Sequence, residues 1–130
     1  MTQELTDNTG RPATVVIEAA DPISSYTVSV AGSSSVGRAD FVDSPGTADE
    51  RIFFHTEVNP QFGGRGLAGL LVHEALADSI RESITVVPVC PLFARYLRKH
   101  GDEFVANGGM FRQVRSADVA LVADLTRKPS

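Results

Sequence analysis

The sequence predicts an α/β fold, and three observations carry the prediction. Short β-branched stretches with apolar residues on alternate positions fill its first half. A strand pattern ending at Val58 then runs through a glycine-rich loop into an apolar helical stripe. A nearly continuous apolar stretch at 84–89 follows, and a second helical pattern comes straight after it.

Taken in order, residues 1–12 are polar and irregular, and a frayed tail is expected ahead of a single domain at 13–126. Residues 13–19 are β-branched and short, a strand broken by Asp21-Pro22. Residues 26–30 alternate apolar and small polar side chains, and 36–43 read as the returning strand of a hairpin across a small-residue turn at 31–35. Ser44-Pro45-Gly46-Thr47 is a further turn by composition. Residues 51–58 form the central strand. Simple alternation places Ile52, Phe54, Thr56 and Val58 on one face, and Phe53, His55 and Glu57 on the other.

The spacing predicts a helix over 67–81, with Ala68, Leu71, Val72, Ala75 and Leu76 as its apolar stripe and Glu74, Asp78 and Arg81 opposite. Residues 84–89 suit a covered strand, in which Pro88 marks a bulge or an open side. Pro91 suits the first position of a second helix carrying Phe93, Tyr96, Leu97 and His100 on one face. Gly101 is its expected end and Phe104-Val105 a possible strand. Asn107-Gly108-Gly109 is a loop. Ser116 can cap a last helix through Leu125, although Val119, Leu121 and Val122 also suit a strand, and the final four residues are expected to be loose.

At 130 residues, 42% hydrophobic and 22% charged, the chain fits one soluble domain with one core. A net charge of −4 argues against wholesale nucleic-acid binding. No apolar run reaches membrane-spanning length, and the first residues lack the basic end and apolar centre of a secretory signal. One cysteine makes neither an internal disulfide nor a Cys-x-x-Cys metal site, so no metal is expected and a reducing cytoplasm is the expected setting.

The loop Gln61-Phe62-Gly63-Gly64-Arg65-Gly66-Leu67-Ala68-Gly69 is the strongest functional signal. Glycines let a ligand approach backbone N–H groups, and the helix behind adds uncapped donors and the positive end of its dipole. Such a cradle suits phosphate. A P-loop fails because Leu67-Ala68 stand where Lys and Ser or Thr belong. A dinucleotide fingerprint fails because the next strand ends in Cys90-Pro91 rather than an acid, and too little chain follows for a doubly wound domain. A tight turn with no ligand would look the same.

Among chemical side chains, Cys90 lies between a strand and a helix N-terminus, with Arg95 within possible reach, a setting that favours a thiolate. His55 could activate it. An inert buried cysteine and a hydrogen-bonded core histidine fit these positions too. Glu57 could take a proton from an amine or be a solvated carboxylate. Tyr96 could protonate a leaving thiolate or pack against Phe93.

In combination the motifs are more specific. Val58-Asn59-Pro60 followed by Gly63-Gly64-Arg65-Gly66-Leu67-Ala68 resembles the pyrophosphate loop of the Gcn5-related N-acetyltransferases, Gln/Arg-x-x-Gly-x-Gly/Ala, with Gly63 at the first position. The register starting at Gln61 also satisfies the letters, but is expected to place the helix start less well. Phe54-His55-Thr56-Glu57-Val58, the loop, and Val87-Pro88-Val89-Cys90-Pro91 leading to a basic helix resemble that superfamily's minimal branch, the N-acetyltransferase domain-containing protein 1-like family. The resemblance spans about residues 25–104.

It implies the acyl-CoA N-acyltransferase fold, a central mixed sheet flanked by helices and split around acetyl-CoA. Cofactor contacts carried over are Val58, Gly63, Gly64, Arg65, Gly66, Leu67, Ala68, Cys90 and Arg95. Chemistry is carried over to Cys90, His55, Tyr96 and Glu57. The acceptor implied is a small-molecule or protein amine, and the expected state is a monomer or weak homodimer.

Overall fold

The computed structural model describes residues 3–6, 10, 12–20, 22–30, 35–44, 49–64 and 66–126. Among the described residues seven strands form one sheet in chain order: β1 (Gln3–Thr6), β2 (Pro12–Glu18), β3 (Ser24–Val30), β4 (Ser35–Asp43), β5 (Glu50–Val58), β6 (Thr85–Pro88) and β7 (Met110–Phe111). The helices are α1 (Leu67–Arg81), α2 (Pro91–Ala106) and α3 (Ser116–Thr126). Direct strand-to-strand connections make β1 to β5 antiparallel. The α1 and α2 crossovers make β5–β6 and β6–β7 parallel. The sheet is therefore mixed, with helices on both faces.

Helices α1 and α2 cover one face, where Val28, Phe41, Phe53, Leu71, Val72, Phe93 and Leu97 share the main core. Phe53 stacks on Phe93 with centroids 4.4 Å apart and ring planes 13° from parallel, a geometry adding about 0.5–1.5 kcal/mol beyond area burial. On the other face Leu121, Val122 and Leu125 of α3 pack over Val42, Ile52 and Val87.

Several expectations are corrected. Residues 3–6 of the expected tail pair with β2 as β1, since Gln3 to Thr6 find ladder partners at Val15 to Pro12. Gly101 does not end α2. It is buried within the helix, where an added Cβ would stand 2.9 Å from the Phe111 ring, so its smallness serves packing. Phe104-Val105 accordingly continue the helix, which stops at Asn107 ahead of Gly108 with φ +98°. Glu74 and Asp78 do not simply face water: Glu74 is buried, and Asp78 accepts a 2.5 Å hydrogen bond from the buried Tyr26 hydroxyl. Arg51 also donates to that hydroxyl. The last segment is helical as α3. Of the expected turns at 31–35 and 44–47, Ser35 instead begins β4 and Ser44 directly follows it, while 31–34, 45–47 and the loose end at 127–130 lie outside the described residues.

The face assignment of β5 is also corrected. Asp40 pairs with His55 but Phe41 pairs with Phe53, leaving Phe54 without an opposite residue. Such a bulge inserts one residue and reverses the alternation beyond it. Phe53 and Val58 consequently pack into the α1–α2 core, while Phe54 joins the α3 face.

Candidate active site

The site begins where the sheet opens. β5 pairs with β6 only from Glu50 to Phe53, opposite Thr85 to Pro88. One further bond, from Cys90 N–H to the Phe53 carbonyl at 2.8 Å, closes that register. β5 runs on to Val58 along β4 alone. Pro88 and Pro91 favour this parting because neither supplies a backbone N–H. The edge of β5 beyond Phe53 is left facing a gap that leads to the glycine loop.

At the mouth of the gap the Asn59 side chain accepts from the Gln61 N–H at 3.0 Å, fixing a single 3-10 turn at Pro60–Phe62. Gly64 has φ +78° and Gly66 φ +75°, both in the left-handed region that favours glycine. Gly66 is the N-cap of α1, without a side-chain cap and with no acidic residue in the first turn. The first N–H groups of α1 thus lack intrahelical acceptors, and the nearest helix end is positive. The two left-handed glycines occupy the last two glycine positions of the register starting at Gln61, with the helix directly behind them. The register starting at Gly63 shares Gly66 as its glycine position, and its first position, with φ −65°, requires no glycine. Gly63, Gly64 and Gly66 are exposed, Ala68 is half-buried and Leu67 anchors the helix in the core. Arg65 lies outside the described residues.

Cys90 is the N-cap of α2 and is 4% exposed. Its Sγ lies 3.4 Å from the Thr56 Oγ1, across the gap between β5 and the end of β6. Thr56, which sequence reasoning did not single out for chemistry, takes this place because the bulge turns it toward the α1–α2 face. His55 instead pairs with Glu57, Nε2 to Oε1 at 2.9 Å, and lines a cleft on the α3 face. The expected Cys90–His55 pairing is therefore replaced by Cys90–Thr56 and His55–Glu57.

Glu57 also pairs with Arg38 at 3.0 Å. The hydrogen bond from His55, and then the Arg38 charge, hold its carboxyl below the usual range. Arg38 binds Asp40 through Nε at 3.0 and 3.1 Å, and the Ser25 hydroxyl donates to Asp40 at 2.6 Å. A polar chain thus crosses β3, β4 and β5 on the α3 face. Sequence reasoning missed Arg38 and Asp40, although their i, i+2 spacing on a strand placed them on one face.

Tyr96 lies in the groove between α1 and α2, tilted on His100 with centroids 4.8 Å apart and beside Leu76 and Phe104. Arg95 is exposed on α2. The structure does not bring either onto the Cys90–Thr56 contact. A further cluster went unread: Arg112 clamps Glu50 and Asp118 with contacts of 2.9 Å, tying α3 to the start of β5. Among the described residues no three His, Cys, Asp or Glu side chains converge to hold a metal ion, and no helix is long and apolar enough to cross a membrane.

A mixed sheet parted beyond its β5–β6 pair, with a glycine loop and bare helix N-terminus at the opening, defines the acyl-CoA N-acyltransferase fold. The model of one family, GCN5-related N-acetyl-transferase, matches residues 25–106, and the chain belongs to that family. Similar solved structures include the ribosomal-protein-S18-alanine N-acetyltransferase from Escherichia coli, at 15% identity over 51% of this chain and 40% of that one, TM-score 0.43. Another is the ribosomal-protein-alanine N-acetyltransferase from Brucella melitensis biovar Abortus 2308, at 18% identity over 85% of this chain and 65% of that one, TM-score 0.43. The matched region is thus under two thirds of either protein's length. No curated protein matches the sequence.

Proposed function

We propose that this protein transfers the acetyl group of acetyl-CoA to an amine, as a member of the minimal N-acetyltransferase domain-containing protein 1-like branch of its family. The observation that carries the reading is the gap beside β5, leading into the glycine loop and the uncapped start of α1. Backbone N–H groups at the start of α1, from Gly66 to Ala68, grip the diphosphate, with Arg65 as a side-chain partner. The Gly63 N–H, expected among them, already donates to the Pro60 carbonyl at 3.1 Å. The pantetheine arm lies along the open edge of β5 toward Val58, which sets the thioester beside Thr56 and Cys90. Arg95 on α2 is a further phosphate contact.

Two routes follow. In the direct route the amine nitrogen attacks the thioester carbonyl, the carbon–sulfur bond breaks, and CoA leaves as its thiolate. His55 takes the amine's proton, oriented by Glu57, and a backbone N–H near Val58 steadies the oxyanion. The thiolate takes its proton from solvent, since Tyr96 lies in the α1–α2 groove away from the Cys90–Thr56 contact. In the covalent route the Cys90 thiolate displaces CoA and carries the acetyl group to the amine, with Thr56 as its hydroxyl neighbour. Mass spectrometry separates the routes: an acetyl adduct missing from the wild type, or persisting in Cys90→Ala, excludes the covalent one.

A CoA-binding module without turnover is the second reading. It is favoured by the engagement of Glu57 with both Arg38 and His55, which leaves the carboxylate a weak base. Titration with acetyl-CoA, followed by amide chemical shifts and free-thiol release, tests both. The expected result is movement at Gly63 to Ala68, Thr56 and Cys90 with thiol release once an amine is added. Unmoved loop amides at millimolar acetyl-CoA overturn either reading, and movement without thiol release for any amine leaves only the module.

A further inference from the structure

We propose that the cleft between the sheet and α3 is the acceptor site, and that it selects a small primary amine with an apolar body. The proposal rests on the acetyl-transfer reading and adds the class of acceptor. The cleft is about 520 Å³, within the range of small-ligand sites. Its floor exists because of the β5 bulge, which lets the consecutive residues Phe54 and His55 line the same cleft. The proposed proton acceptor and an aromatic surface therefore stand side by side, next to the strand edge that would carry the thioester.

The two sides of the cleft differ in chemistry. The strand side carries Asp40, and Glu57 adjoins it through Arg38 and His55. Arg38 and Asp40, the charged residues lining the cleft, balance one another when His55 is neutral. Glu57, outside the lining but bonded to Arg38 and His55, adds the one negative charge that complements an ammonium. Ile23, Val122 and Leu125 supply the opposing apolar surface. A polyamine or an amino sugar would leave polar groups unpaired against that surface, a large penalty. An amine with a hydrocarbon or aromatic body buries it there instead.

The apolar wall also lies outside what the family shares. The family match ends at residue 106, and α3 begins at Ser116. Arg112 fixes this added helix through Asp118 and Glu50. Selectivity for the amine is thus supplied by a segment added to the common catalytic frame.

The test uses the full chain with CoA present and two readouts. Phenethylamine and isoamylamine are titrated while the amides of Phe54, His55, Val122 and Leu125 are followed. Acetyl-CoA-dependent thiol release is then compared among these amines, spermidine, glucosamine and an alanine-terminated peptide. The expected result is shifts confined to the cleft and kcat/KM at least about tenfold higher for the apolar amines. Leu125→Asp should raise their KM about tenfold or more with the CoA titration unchanged. Thr126→Lys, at an exposed lining position, should do the same by placing a cation in the cleft while sparing the packing under α3.

Turnover that favours the polar amines or the peptide overturns the proposal and leaves acetyl transfer standing. So does turnover of apolar amines that neither variant affects. Cleft shifts without turnover of any amine leave an amine-binding cleft but overturn acetyl transfer, and with it the acceptor role. Absence of both cleft shifts and turnover, with CoA still moving the loop amides, overturns the acceptor site and the acetyl-transfer reading while leaving CoA binding intact.

Discussion

Replacing Arg112 by methionine removes the guanidinium that holds Glu50 and Asp118 together. Five hydrogen bonds of 2.9 Å are lost, two to each carboxylate and one to the Gln113 carbonyl. The Asp118 side chain is 7% exposed, Glu50 19% and Arg112 17%. The variant therefore leaves two poorly solvated carboxylates facing one another, with only the more distant Arg115 charge to offset them. Breaking a fully buried pair costs about 3–5 kcal/mol, and the residual exposure points to about 3 kcal/mol here. For a chain of this size that is a drop in Tm of about 10 °C.

Calorimetry or circular dichroism at pH 7 measures the drop. Adding Glu50→Gln and Asp118→Asn to Arg112→Met should recover about half of it, because the stranded charges disappear. The pH dependence has a definite sign. Hydrogen bonds from Arg112, the largest cause for both groups, hold the Glu50 and Asp118 carboxyls below their ordinary range. Their contribution is complete above the unfolded carboxylate pKa values and is lost as pH falls through the lower folded values. The gap between wild type and variant should accordingly close in acid. A shift under about 2 °C at pH 7, as for a solvent-screened surface pair, or a triple variant no more stable than the single one, refutes this reasoning.

Four further expectations are independent of it. Gly109→Ala should destabilise the fold by about 1–3 kcal/mol in chemical denaturation, because its Cβ would stand 2.5 Å from the buried Phe104 ring. Gly101→Ala should be close to neutral in the same assay, since the opposing Phe111 is 39% exposed and can yield while alanine favours the helix. His55→Ala should raise the Glu57 pKa in a carbon-13 side-chain titration, as His55 is the chief cause of its depression. Gly64→Ala meets open space but a φ of +78°, so about 1 kcal/mol of backbone strain should appear as a lower Tm and weaker CoA binding.

Much of the frame was legible locally. Periodicity marked β2 to β6 and α1 because each signal lies within one element and needs no partner to be read. The glycine loop was legible for a similar reason: Gly64 and Gly66 report a backbone requirement of their own positions. The end of α2 was misread because Gly101 looks like a cap until Phe111 is brought against it. β1 escaped notice because Gln3 to Thr6 carry no apolar pattern and are held by pairing to β2.

By itself the sequence determined a glycine-rich strand–loop–helix turn, the order of the elements, and the set of chemical groups near the sheet opening. Tertiary structure alone decided which of those groups meet. One unpaired residue at Phe54 turns Thr56 toward Cys90 and keeps His55 with Glu57. It also decided that Arg112 would bind acids as distant in sequence as Glu50. Periodicity is a property of neighbours along the chain, whereas a bulge and a charge clamp exist only once two strands have chosen a register.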